Sequence, residues 1–167
     1  MKSKLHFILL NGAIGSGKST IGDILEKKLK RTVILEIEDV RQFMSDYRQG
    51  KKEGNDLAWK IIYRMCDEYL KNKTSVLLKQ TACSQELVDK FLRLAKKYKC
   101  IIGFYHLQAP RDILLKRVKK RKIPKILVIK SSVKHDSINY RHAKIINTSY
   151  LKPKEAAELI LKDLGNV

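Results

Sequence analysis

The octapeptide Gly12-Ala13-Ile14-Gly15-Ser16-Gly17-Lys18-Ser19 constrains this chain more than any other stretch. It satisfies the pattern G-x-x-x-x-G-K-[ST] at every fixed position. Its flanks agree: Phe7-Ile8-Leu9-Leu10 is a short apolar run suited to a buried central strand. After the loop, Ile21, Ile24, Leu25 and Leu29 recur at helical spacing, with Lys27, Lys28 and Lys30 between them. Strand, glycine loop and helix therefore follow in order. Glycines let such a loop close around a phosphate chain with its N–H groups pointing inward. The helix beginning near Gly17 adds the positive end of its dipole. Lys18 is expected at the β- and γ-phosphates and the Ser19 hydroxyl on Mg²⁺. Thr20 is either a second polar contact or a helix N-terminal residue.

The rest of the chain continues the alternation. Strands are expected at 32–37, 75–78, 100–105 and 143–146, after the first at 7–10. Between them lie helical patterns: 38 to about 48, then Leu57, Ile61, Ile62, Met65, Tyr69 and Leu70, then a segment capped by Ser84. A helix follows Pro110, and another opens at Pro153. The polar stretch 49–55, with two glycines, reads as a loop. This alternation predicts a single α/β domain over residues 1–167, a three-layer α/β/α fold on a five-stranded parallel sheet.

Composition narrows the partners. The 167 residues carry a net charge of +19. Such a balance suits phosphate-bearing partners, although scattered lysines also form ordinary solvated faces. Residues 111–134 hold ten Lys or Arg against one acid, Asp112. No apolar run is long enough for a membrane span, and the apolar stretch after Met1-Lys2-Ser3-Lys4 is too short for a signal peptide. A cytoplasmic protein is the expectation. Cys66, Cys83 and Cys100 are widely spaced and odd in number, which argues against a disulfide or metal framework.

Candidate chemistry beyond the glycine loop gathers at strand ends, where ligands of such sheets bind. Glu38-Asp39-Val40-Arg41 follows the second strand. Glu38 and Arg41 share a face if a helix begins there, so the carboxylate can take a proton from an acceptor hydroxyl while the arginine holds it or an acceptor anion. Arg117 and Arg121, four apart, can clamp a transferring phosphoryl group. Residues 123–140 read as a lid or substrate-facing element. Trp59 and Tyr63, four apart, suit core packing or a stacking wall for a base. His106, after the fourth strand, reads mainly as a structural residue.

Together these motifs resemble the small P-loop kinases with an adenylate-kinase-like core: the kinase domain of polynucleotide kinase, zeta-toxin-like kinases and chloramphenicol phosphotransferase. The resemblance covers essentially the whole chain. It implies an enzyme that uses ATP and Mg²⁺, with a basic lid at about 117–140. Where relatives carry an aspartate three before an Arg or Lys, Glu38 stands before Arg41, with Asp39 as its rival for the base. Arg117 and Arg121 match the lid arginines that contact donor phosphates. Asn147 falls in a loop expected near the adenine, so the implied nucleotide contacts are Gly12 through Thr20, Arg117 and Asn147. Lys79 and Gln80 stand where many relatives place an acid. The implied activity is phosphate transfer to an acceptor hydroxyl, a nucleic-acid 5′-hydroxyl or a nucleoside or nucleotide. The alternatives are an antibiotic or sugar kinase and, from another class, a nucleotide-switched RNA-binding or regulatory protein.

Overall fold

The computed structural model describes residues 4–44, 52–80, 84–121 and 123–165, with backbone alone for residues 52–54. Twelve elements run along the described chain: β1 His6–Gly12, α1 Lys18–Glu26, β2 Thr32–Glu36, α2 Ile37–Gln42, α3 Lys52–Lys71, β3 Ser75–Gln80, α4 Gln85–Lys97, β4 Ile101–Gln108, α5 Arg111–Val118, α6 Lys125–Asp136, β5 Lys144–Asn147 and α7 Pro153–Asp163. The five strands form one sheet in the order β2-β3-β1-β4-β5, and every pairing is parallel.

Period-two alternation in β1 explains the layering. Phe7 and Leu9 enter one core with Ala58, Ile62, Cys66 and Leu70 of α3 and with Val88, Phe91 and Leu92 of α4. Ile8 and Leu10 enter the opposite core with Ile21 and Leu25 of α1 and with Ala156, Ala157 and Ile160 of α7. A central parallel strand is covered on both faces, so it must be apolar throughout. The edge strand β5 is exposed except at Ile146, and Lys144 sits on it as a charged edge residue. A third, smaller cluster joins Ala13 of the glycine loop to Leu114 and Val118 of α5 and Val128 of α6. The basic segment after β4 is thereby seated on the loop.

Four local expectations are corrected. Pairing of β2 with β3 ends at Glu36 opposite Lys79, so Ile37 opens α2 instead of closing the strand. Lys79 and Gln80 remain within β3. The strand β4 runs three residues further than expected, because parallel pairing continues through Asn11–His106 and Gly12–Leu107 and then to β5. Residues 52–55 belong to α3 and not to a loop; Arg41 donates a hydrogen bond to Asn55 Oδ1, tying that helix start to α2. The predicted cap is as expected: Ser84 Oγ accepts from the Leu87 N–H at 3.1 Å. Tyr47, Arg48, Thr81, Cys83 and Lys122 lie outside the described residues.

Candidate active site

The glycine loop takes a shape that only glycine allows. Gly12, Gly15 and Gly17 have φ of 152°, 87° and 102°. A Cβ on Gly12 would stand 2.5 Å from the Leu107 carbonyl oxygen, and one on Gly15 would stand 2.9 Å from that of Leu114. Gly17 caps α1, so that helix points its free N–H groups at the loop's hollow. The Lys18 ammonium arches back to the carbonyls of Gly12 at 2.6 Å and Ala13 at 2.9 Å.

A first cleft of about 340 Å³ opens on this loop, lined by Gly15 and by Gly17 through Ile21, with Arg117, Arg121, Thr148, Leu151 and Pro153. Arg117 is held in place: its guanidinium donates to Thr148 Oγ1 at 2.9 Å, to the Thr148 carbonyl at 2.6 Å and to the Gly15 carbonyl at 3.4 Å. The buried Thr148 hydroxyl reaches the Ser16 carbonyl at 3.0 Å and the Gln108 carbonyl at 3.1 Å. One threonine thus joins β4, the glycine loop and Arg117. Sequence reasoning passed over Thr148, reading 147–149 only as a loop; a hydroxyl directly after a parallel strand was the available signal. Asn147, expected in a loop at the nucleotide, instead closes β5 opposite Gln108 and lines neither cleft; its Oδ1 accepts from the Ser149 N–H at 3.0 Å.

A second, larger cleft of about 590 Å³ meets the first over Gly15, Lys18, Ser19 and Arg121. One wall carries Glu36, Glu38, Arg41, Trp59, Lys79 and Gln80, and another carries Ile123, Pro124 and Leu127. Glu38 and Arg41 do share a face of α2, with Nη1 3.1 Å from Oε2. Asp39, one residue on and so about 100° around the helix, is exposed and does not line the cleft. Trp59 lines the cleft and packs on Phe91 at 5.8 Å between ring centroids. Tyr63 packs on Phe91 too, at 5.7 Å.

Lys79 occupies its position through a built arrangement. Its ammonium lies 2.6 Å from Glu36 and 3.3 Å from Asp23. Its stem crosses α1 where Gly22 stands, and a Cβ there would come within 2.3 Å of Lys79 Cδ. Burial alone would lower the Lys79 pKa, but the Glu36 hydrogen bond and the two carboxylate charges outweigh it and hold it above the ordinary lysine value. Glu36 was read from the sequence as a strand residue; only the early end of β2 brings it to the cleft.

Beneath the loop, α6 is fastened by Ser131, whose Oγ accepts the Ile14 N–H at 3.1 Å. Behind it lies a buried ring cluster. His106 stacks on His135 at 5.3 Å and contacts Tyr140 at 4.7 Å, while Tyr140 Oη and His135 Nδ1 are 3.0 Å apart. Burial, aided by the Lys18 charge, pushes the His106 pKa down to about 4. Burial, with the neighbouring His106, Lys18 and Lys134 charges, pushes that of His135 down to about 3. His106 therefore packs as a neutral structural group and lines neither cleft.

Among the described residues no group of three His, Cys, Asp or Glu forms a metal site. The donors near the loop are hard oxygens: the exposed Ser19 hydroxyl, with Glu36 and Glu38 across the second cleft. Such a set fits Mg²⁺, which keeps water and phosphate oxygens as its other ligands.

Residues 7–136 match the AAA domain family AAA_33. The chain belongs to that family. Its fold is the nucleotide-binding P-loop fold, shared with solved small kinases. The tunicamycin resistance protein of Deinococcus radiodurans is similar at 16% identity and a TM-score of 0.68, over 98% of each chain. The adenylylsulfate (APS) kinase CysC of Mycobacterium tuberculosis, solved with AMPPNP and APS, is similar at 13% identity and 0.68, over 97% of this chain and 98% of that one. A chain of the Pnkp1/Rnl/Hen1 RNA repair complex is similar at 22% identity and 0.69, over 82% of this chain and 47% of that one. No curated protein matches the sequence. Among the described residues no helix is long and apolar enough to cross a membrane.

Proposed function

We propose that this chain is an ATP-dependent phosphotransferase that moves the γ-phosphoryl group to an acceptor hydroxyl, with a nucleic-acid 5′-hydroxyl or a nucleoside or nucleotide as the favoured acceptor. One observation carries the reading: two clefts, one on the glycine loop and one holding a carboxylate–arginine pair, meet at Lys18, Ser19 and Arg121. ATP occupies the first cleft, with its phosphates on the loop N–H groups. Lys18 leaves the loop carbonyls for the β- and γ-phosphates. The acceptor occupies the second cleft, where Glu38 accepts its hydroxyl proton as the oxygen attacks the γ-phosphorus and ADP departs. Arg41 orients Glu38. Arg117 and Arg121 neutralise charge as the phosphoryl group moves. Mg²⁺, held by Ser19 and phosphate oxygens, would supply further charge neutralisation when bound.

The nucleic-acid preference is supported by the net charge of +19, by Trp59 in the acceptor wall, and by the likeness to a chain of an RNA repair complex. The test is label transfer from γ-labelled ATP with Mg²⁺ to 5′-hydroxyl RNA and DNA, then to nucleosides, then to sugars and other small alcohols. Lys18→Ala serves as the blank. Label on an oligonucleotide, absent in the blank, establishes the reading. Label only on a small alcohol moves the acceptor to that class. ATP binding with no labelled acceptor favours a nucleotide switch.

A further inference from the structure

Trp59 belongs to two hollows. Besides the second cleft, it lines a separate groove of about 460 Å³ between α3 and α4, with Asp56, Lys60, Leu87, Lys90 and Arg93 in its walls. Both hollows fall within the roughly 300–1,000 Å³ range of small-ligand sites. We propose that a single-stranded polynucleotide runs from the second cleft across the Trp59 ring into this groove, its end at Glu38 and its following nucleotides between α3 and α4. The inference rests on the acceptor reading above and extends it from one nucleotide to a strand.

Three features favour this occupant. The indole is firmly footed, because it rests on Phe91, whose ring stacks on Phe7 at 6.3 Å in the core. A rigid aromatic platform accepts any base, since every base has a π-face. The groove's cations also follow the helix faces: Trp59 and Lys60 sit one turn beyond Asp56 on α3, and Lys90 and Arg93 are three apart on α4. Three cations outnumber the two acids in the walls, Asp56 and Glu86. Finally, Lys90 Nζ lies 4.6 Å above the Tyr63 ring, which directs an ammonium along the same surface.

Trp59 is the chain's one tryptophan, so its fluorescence reports this position alone. The experiment titrates the full chain with 5′-hydroxyl oligouridylates of one, two, four and eight nucleotides, alongside label transfer to the same acceptors. Stacking should quench the emission, with affinity rising at least about tenfold from the mononucleotide to the tetramer. Lys90→Glu combined with Arg93→Glu should cost the octamer at least tenfold more affinity than the mononucleotide, and should flatten the salt dependence of octamer binding. Both positions are exposed, and ATP affinity checks that the variant is folded. Equal affinity at every length, or unchanged emission while the octamer is phosphorylated, overturns the route and leaves the phosphotransferase reading intact. Length-dependent quenching without transfer supports the route and overturns the acceptor reading. Neither quenching nor transfer overturns both.

Discussion

Around Gly12–Ser19 the first cleft is shaped by backbone, and the buried Thr148 hydroxyl ties that loop to Arg117. The second cleft is made of side chains from β2, α2, α3 and β3, with its charges in pairs: Glu36 with Lys79 and Glu38 with Arg41. A backbone cradle is fixed by a contiguous peptide and tolerates few substitutions. A cleft of paired side chains can exchange one partner and change what it accepts. The contrast teaches that the shape of the first cleft is set mainly by a contiguous backbone and that of the second by side chains from four elements.

Substitutions should separate the two regions. The largest effect belongs to Lys18→Ala, which should cut phosphate transfer by about 10³-fold or more, read by labelled-ATP turnover. Equal turnover would remove the first cleft from the chemistry. Thr148→Val should come next. It keeps the shape but takes the Thr148 hydroxyl from the Ser16 carbonyl and removes one of Arg117's hydrogen bonds, a cost of about 1–3 kcal/mol. That should appear as roughly a tenfold loss in kcat/KM for ATP. Lys79→Met should lower unfolding free energy by about 1–3 kcal/mol by stripping Glu36 of its hydrogen bond, while the ATP dissociation constant stays within about threefold. A urea titration and a nucleotide titration check the two halves of that statement. A matching loss of ATP affinity would show that the regions are not separable.

The smallest effect is a slope with pH. His106 and His135 are held neutral in the fold down to about 4 and about 3. In the unfolded chain they take up protons below their ordinary value of 6.5. The unfolded state therefore binds more protons between these limits, and stability falls as pH drops from 6.5 toward 4. The urea midpoint should decline over that window, and less steeply in His106→Gln combined with His135→Gln, where His6, also held below its ordinary value by burial, still contributes. An unchanged slope in the double variant would assign the acid sensitivity elsewhere.

The same contrast governs what was legible in the sequence. The glycine loop is local, so its motif, its strand and its helix could all be read from one stretch. Glu38 and Arg41 were also legible, because a strand end and a three-residue spacing are local features. Glu36 was not, since its exposure to the cleft depends on where pairing with β3 stops. Thr148 was missed because its partners, Ser16 and Gln108, are distant in sequence. His106 seemed to follow a strand because its polarity resembles a strand end, yet pairing on both sides of β4 carries the strand past it. The start of α3 was hidden by Gly54 and its polar neighbours in the sequence, whereas in the fold Arg41 contacts Asn55 there.

The central claim is that Glu38 serves an acceptor brought to the glycine loop, and one comparison tests it most directly. Single-turnover phosphate transfer to a 5′-hydroxyl oligonucleotide is measured for Glu38→Gln and Asp39→Asn, each beside its ATP affinity. The account predicts a loss of about 10²–10⁴-fold for Glu38→Gln with ATP affinity within about threefold of the parent, and near-parental transfer for Asp39→Asn. Full transfer by Glu38→Gln, or the larger loss falling on Asp39→Asn, would contradict it.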